Sequence, residues 1–285
     1  MKRLQDLSKV LLLMLLTGSM GGCFGFNVLF EQLDVLTVWQ ADRMLDLDAQ
    51  QEDALEPAMI EIREWLRNDG LPAAQEALNG VDRRWSSGDL IGATEQFEQE
   101  GRVLGNRFLV YAWPRLSPLL LMLNENNAAA YESYTEERIP EWFAGSLGAE
   151  AKLEDRLERL EKWFGDLTDA QVDIVRKHTQ WQEGEYELRV DNSRQWRKRF
   201  MDLVLARDMA TLESVFTQPE QLQSPAYQGW LKEQQRQYKA MRNDLFAVLT
   251  PAQRTHASKR VQDWIVILQS VVGGNEATGS QPIKQ

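Results

Sequence analysis

Side chains able to do chemistry are few and far apart. The 285-residue chain carries one cysteine, Cys23, and two histidines, His178 and His256. A single thiol can form neither an intramolecular disulfide nor a thiolate metal cage. Two imidazoles cannot build a three-histidine zinc site. Neither histidine stands in an H-E-x-x-H or E-x-x-H arrangement, so no metal site is expected. His178 shares a helical stripe with Ile174, Trp181 and Leu188, which suits a packed residue or a groove edge. His256 lies among Arg254, Lys259 and Arg260, as an exposed helical residue would. There is no G-x-S-x-G, no P-loop and no G-x-G-x-x-G, so no cofactor is expected. One basic cluster remains, in which Arg194, Arg197, Lys198 and Arg199 flank Trp196 and precede Phe200. It reads either as a contact for anionic headgroups or an acidic partner, or as a solvated helix face with the two aromatics in the core.

The elements that would position these residues are helices. Apolar residues recur at helical spacing in Leu55, Met59, Ile62 and Leu66, and in Leu153, Leu157, Leu160 and Phe164. Asp155–Arg159 and Glu158–Lys162 form i,i+4 pairs on the opposite face of the second stripe. Tyr227, Leu231, Gln234, Tyr238, Met241, Leu245 and Val248 make a third stripe, and Ala257, Val261, Trp264, Leu268 and Val272 a fourth. Ser224-Pro225 reads as an N-cap with a first-turn proline, and Gly165 as a left-handed C-cap. Breaks are expected at 68–72, at 86–88, at Trp113-Pro114 and at Ser117-Pro118. One long helix is expected over 168–206, bent or broken at Asp191-Asn192-Ser193. Leu116 to Leu123 reads as a buried connector or, more sharply, as an exposed apolar patch around Leu119 and Leu120.

Three helix starts share one pattern: Asp48 with Gln51, Thr168 with Gln171, and Thr250 with Gln253, each preceded by Leu. The Asp or Thr oxygen can accept from a free first-turn N–H, and the Gln can reach back to the cap residue. These are capping boxes first. The fold expected is all-α, an extended multi-helix bundle formed as one body or as two loosely joined halves. The divisions are 1–22, 23–147, 148–272 and a disordered tail over 273–285, with Phe143 to Ala149 between the halves.

Charge and the N-terminus set the address. A formal charge of −11 argues against nucleic acid as a partner. Lys2, Arg3 and Lys9 precede the apolar run Val10 to Leu16 and small residues, the layout of an export signal. The run is far short of the roughly 20 residues of a membrane-spanning helix. Met20-Gly21-Gly22-Cys23 resembles the lipobox of bacterial lipoproteins, with Met in place of the usual Leu. That resemblance implies cleavage between Gly22 and Cys23 and a diacylglycerol on the Cys23 sulfur. With Phe24 rather than Asp after the cysteine, it implies an outer-membrane anchor facing the periplasm.

Together with Phe26-Asn27, the L-[TD]-x-x-Q helix starts and the Arg/Trp-rich helix around Trp196, the chain is similar to a family of helical proteobacterial lipoproteins of unknown function. Leu167 to Gln171 and Leu249 to Gln253 also resemble motifs of the small periplasmic stress chaperones of the CpxP/Spy type. These likenesses imply a non-enzymatic, membrane-tethered interaction protein, chaperone-like or a stress sensor, working through a groove between long helices on a periplasmic partner or client. A cell-wall hydrolase, for which Glu132-Ser133 resembles the Glu-Ser pair of lytic transglycosylases, and a structural spacer are the competing readings.

Overall fold

A computed structural model describes residues 22–273, and contains no strand among them. The expected signal at 1–22, apart from its last residue, and the tail beyond Gly273 lie outside the described residues. The helices are α1 (Gly22–Glu31), α2 (Leu33–Leu45), α3 (Ala49–Trp65), α4 (Leu71–Ser86), α5 (Leu90–Met122), α6 (Glu125–Trp142), α7 (Ala149–Phe164), α8 (Asp169–His178), α9 (Glu185–Leu205), α10 (Met209–Thr217), α11 (Pro225–Ala247) and α12 (Pro251–Val272). The all-α bundle read from the sequence is what the chain forms.

The stripes explain the packing. Leu55, Met59 and Ile62 are buried in one cluster with Ala112, Leu119, Leu123, Met201, Val204 and Leu212. Phe164, Leu245, Leu249 and Ala257 join Leu90 in a second cluster. Leu153, Val175 and Met241 form a third. The two larger clusters each draw on both sides of residue 147, so the chain crosses between them repeatedly. The Asp155–Arg159 and Glu158–Lys162 pairs form at 3.0 and 2.7 Å. Trp264 departs from its stripe. It is exposed, and the adjacent Ile265 is buried between Val261 and Leu268 of the stripe instead. Its ring meets Phe26 edge-on at 6.4 Å, where α1 lies along α12.

Several expected breaks are absent. Residues 66–70 form a single π-turn that carries α3 into α4. Pro114 and Pro118 sit inside the uninterrupted α5. A helix-interior proline costs about 3 kcal/mol, but Ala112, Leu119 and Leu123 on either side are buried and hold the helix in place. The Leu116–Leu123 segment is therefore the end of a helix, with Leu119 buried and Leu121 facing solvent. The long helix over 168–206 is two helices. The break falls at 179–184, ahead of Gly184 with φ 79°, and α9 passes through Asp191-Asn192-Ser193 without interruption.

Candidate functional site

The three capping boxes form as read, and they are brought together in pairs. Asp48 accepts from the Gln51 N–H at 2.9 Å and Gln51 Oε1 accepts from the Asp48 N–H at 3.0 Å. Thr168 with Gln171, and Thr250 with Gln253, repeat this geometry. Gln171 and Gln253 then exchange two buried amide bonds, Nε2 of each donating to Oε1 of the other at 2.7 and 2.8 Å. Gln51 does the same with Asn127 at 3.0 and 3.1 Å. Asn127 closes a fourth box, Asn124–Asn127, which the sequence reading missed. Its signal is the same pattern with amide substitutions, Leu123-Asn124-Glu125-Asn126-Asn127. The closing residues Gln51, Asn127, Gln171 and Gln253 thus form two buried clasps, while Asp48, Asn124 and Thr168 stay exposed at the helix starts.

The basic cluster does not present four free cations. Arg194 grips Glu136 with two nitrogens, the closest contact at 2.7 Å, and Arg197 reaches the same carboxylate at 3.2 Å. The Arg194 hydrogen bond holds the Glu136 carboxyl below the usual carboxylate range. Lys198 pairs with Asp202 at 2.9 Å, and Arg199 donates to the Leu222 carbonyl at 3.4 Å. Trp196 stacks on Phe200 and donates to the Pro219 carbonyl. Burial raises the neighbouring Tyr131 phenol, with Arg197 opposing. Glu132 lines the same α6–α9 cleft and is exposed. His178 is bonded to Asp244 at 2.8 Å. His256 is exposed, and its ring lies beside Gly165. Cys23 falls in the first turn of α1.

Two cavities that no sequence motif marked lie against α7 and α11. The first is an apolar groove of about 230 Å³ between α4, α5, α7, α11 and α12. Trp85, Phe164 and Phe246 form its floor, with ring centroids 5.6 to 6.2 Å apart. Phe97, Trp163 and Tyr238 also line it and stand partly in solvent. Buried Arg242 lies at its edge, 3.5 Å from Glu98.

The second cavity, of about 670 Å³, shares Leu160, Trp163, Tyr238 and Met241 with the first and adds charged and polar residues together with Trp142 and Trp230. It lies between α7, α9 and α11, beside the break at 179–184. Arg156 of α7 donates to the His178 carbonyl at 3.1 Å, and Lys152 to the Gln180 carbonyl at 2.8 Å. Trp181 donates to the Ser146 carbonyl at 2.9 Å. The carbonyls freed at the C-terminal end of α8 are thereby satisfied by Arg156 and Lys152. Lys152 and Glu185 form a buried pair at 2.7 Å. Burial lowers the Lys152 ammonium from its ordinary value despite that partner, and lowers the Arg156 guanidinium as well. The Arg189 guanidinium lies over Phe143 and Trp230 at 5.0 and 5.5 Å.

Fold and cavities define an all-α helical bundle with two adjoining cavities. The chain belongs to a family of unknown function (DUF6279), matched over residues 43–228. That span holds Lys152, Arg156, Glu185 and Arg189, and ends just before Trp230 and Gln234. No curated protein and no solved structure matches the chain.

Proposed function

We propose that this protein is a bacterial lipoprotein, anchored through Cys23 to the outer membrane and facing the periplasm, that binds an apolar segment of a client protein without chemistry of its own. The observation that carries the binding role is the aromatic groove with Phe97, Trp163 and Tyr238 partly in solvent. Exposed apolar surface of this kind is costly to keep unless something covers it. The leader and the Met20-Gly21-Gly22-Cys23 motif support the anchor. Among the described residues no helix is long and apolar enough to cross a membrane. Because α1 starts at Gly22 and packs along α12, a lipid on Cys23 holds the bundle close to the bilayer. The two basic pairs around Glu136 leave less cationic surface for headgroups than the sequence promised, so the lipid does the anchoring.

The test uses a Cys23→Ser chain lacking the leader and a chemically unfolded client whose aggregation is followed by light scattering. Suppression at stoichiometric protein, lost in Phe97→Ser and kept in Leu121→Ser, is the expected result. No suppression at molar excess, or equal suppression by both variants, overturns the groove. A native, membrane-extracted polypeptide that retains residues 1–22 overturns the anchor.

A further inference from the structure

Buried polar atoms in folded proteins nearly always have a hydrogen-bond partner. Among the described residues eight buried side-chain nitrogens or oxygens lack one, and four of these belong to residues lining the polar cleft: Glu185 Oε1, Arg189 Nε, Trp230 Nε1 and Gln234 Nε2. They come from two helices, α9 and α11, that converge there. Glu185 is only 2% exposed. Its other oxygen is taken by Lys152, so its charge is compensated while Oε1 remains free to accept.

The chemistry of this set selects a ligand. Three free donors and one free acceptor call for groups that both accept and donate. A carboxylate or fully ionised phosphate could satisfy the three donors but has no proton to give, and would leave Glu185 Oε1 without a partner. An apolar segment would satisfy none. A hydroxyl can accept from Trp230, Gln234 or Arg189 and donate to Glu185. The walls add Trp142, Trp163, Trp230 and Tyr238, whose faces suit the C–H face of a pyranose ring. The volume of about 670 Å³ lies within the roughly 300–1,000 Å³ typical of small-ligand sites. We propose that this cleft is a saccharide-binding site, taking a short oligosaccharide of pyranose units by hydroxyl hydrogen bonds to Glu185, Arg189, Trp230 and Gln234. It adjoins the apolar groove and shares Trp163 and Tyr238 with it, but Glu185, Arg189, Trp230 and Gln234 line this cleft alone.

The experiment titrates the full mature chain with chitotetraose, cellotetraose and maltotetraose, and with inorganic phosphate, following tryptophan fluorescence and heat. At least one tetraose is expected to bind. Trp230→Phe keeps the ring and removes the N–H, and is expected to weaken that binding by about tenfold. Trp142 is exposed, so Trp142→Ala spares the fold, and a similar loss is expected from it. Leu121→Ala, on α5, is expected to bind as the parent does. The proposal is overturned if none of the three tetraoses binds up to millimolar concentration. It is overturned equally if Trp230→Phe and Trp142→Ala bind like the parent, or if phosphate binds and no sugar does.

Discussion

The clasp between Gln171 and Gln253 can be measured directly. Gln171 is 1% exposed. Its amide makes four contacts: it accepts from Thr168 N at 2.9 Å and from Gln253 Nε2 at 2.8 Å, and donates to Val248 O at 3.1 Å and to Gln253 Oε1 at 2.7 Å. Gln171→Leu keeps the approximate volume and removes all four. At about 1 kcal/mol net for each bond, the loss would approach 4 kcal/mol. Two features limit the additional cost of stranded partners. Gln253 keeps its bonds to Thr250 N and to the Asp166 carbonyl, and Val248 is 45% exposed, so water can reach its carbonyl. The expected cost is therefore roughly 3–4 kcal/mol, or about 6–16 °C in Tm for a chain of this size. In Gln171→Leu/Gln253→Leu both halves of the mutual pair become apolar, so the double variant is expected to lose less than the sum by about 1–2 kcal/mol. Guanidinium unfolding read by tryptophan fluorescence measures this, provided the slope m is unchanged across the cycle. A single-variant cost below about 1 kcal/mol, or additivity within about 0.5 kcal/mol, would refute the clasp as an energetic unit.

Two further outcomes follow from the geometry. The Glu136 carboxyl is held below the ordinary range by Arg194. A carboxyl with a depressed folded pKa contributes stability that is present above its unfolded value, near 4.3, and lost as pH falls through the lower folded value. Carbon-13 NMR is expected to show Glu136 titrating below that value, and Arg194→Gln to move the midpoint upward; an unmoved midpoint would remove Arg194 as the cause. Pro114→Ala restores a helical N–H within α5. It recovers part of the proline's roughly 3 kcal/mol penalty, less the entropy that proline removes from the unfolded chain, so a net gain of about 1–2 kcal/mol is expected in the same unfolding assay. A net loss would mean that the packing of α5 needs the proline's geometry.

The sequence made the helices legible because each stripe repeats at the helical period, and the caps legible because capping is a matter of residues three apart. Thr168–Gln171 and Ser224-Pro225 needed no tertiary knowledge. Long-range pairing was not readable in the same way. Nothing local says that Gln171 faces Gln253 or that Gln51 faces Asn127, since each glutamine already has its capping role. The prolines of α5 misled for the opposite reason: the local penalty is real, but Ala112, Leu119 and Leu123 are buried around it. The basic cluster around Trp196 looked uncompensated because Glu136 lies on another helix. The polar cleft left no motif at all, because Lys152, Arg156, Glu185, Arg189, Trp230 and Gln234 come from three helices.

That cleft is also where the fold departs most from what stability alone would favour. A continuous helix from Thr168 onward would have satisfied its own carbonyls. Instead the chain opens at 179–184, and Arg156 and Lys152 must cap the His178 and Gln180 carbonyls that the break frees. A buried ion pair such as Lys152–Glu185 gains little over an apolar replacement, because desolvating both charges offsets their attraction. Leaving Glu185 Oε1 and Trp230 Nε1 without partners adds a further cost. The adjoining groove is lined by Phe, Trp, Leu and Val and carries few such penalties, so the same helices α7 and α11 could have continued an apolar interior. Buried polar groups retained at a cost, beside aromatic side chains lining a cavity, are the observation on which the proposed saccharide site rests. α7 positions Lys152 and Arg156, and α9, which starts after the break, brings Glu185 and Arg189 to the same cavity.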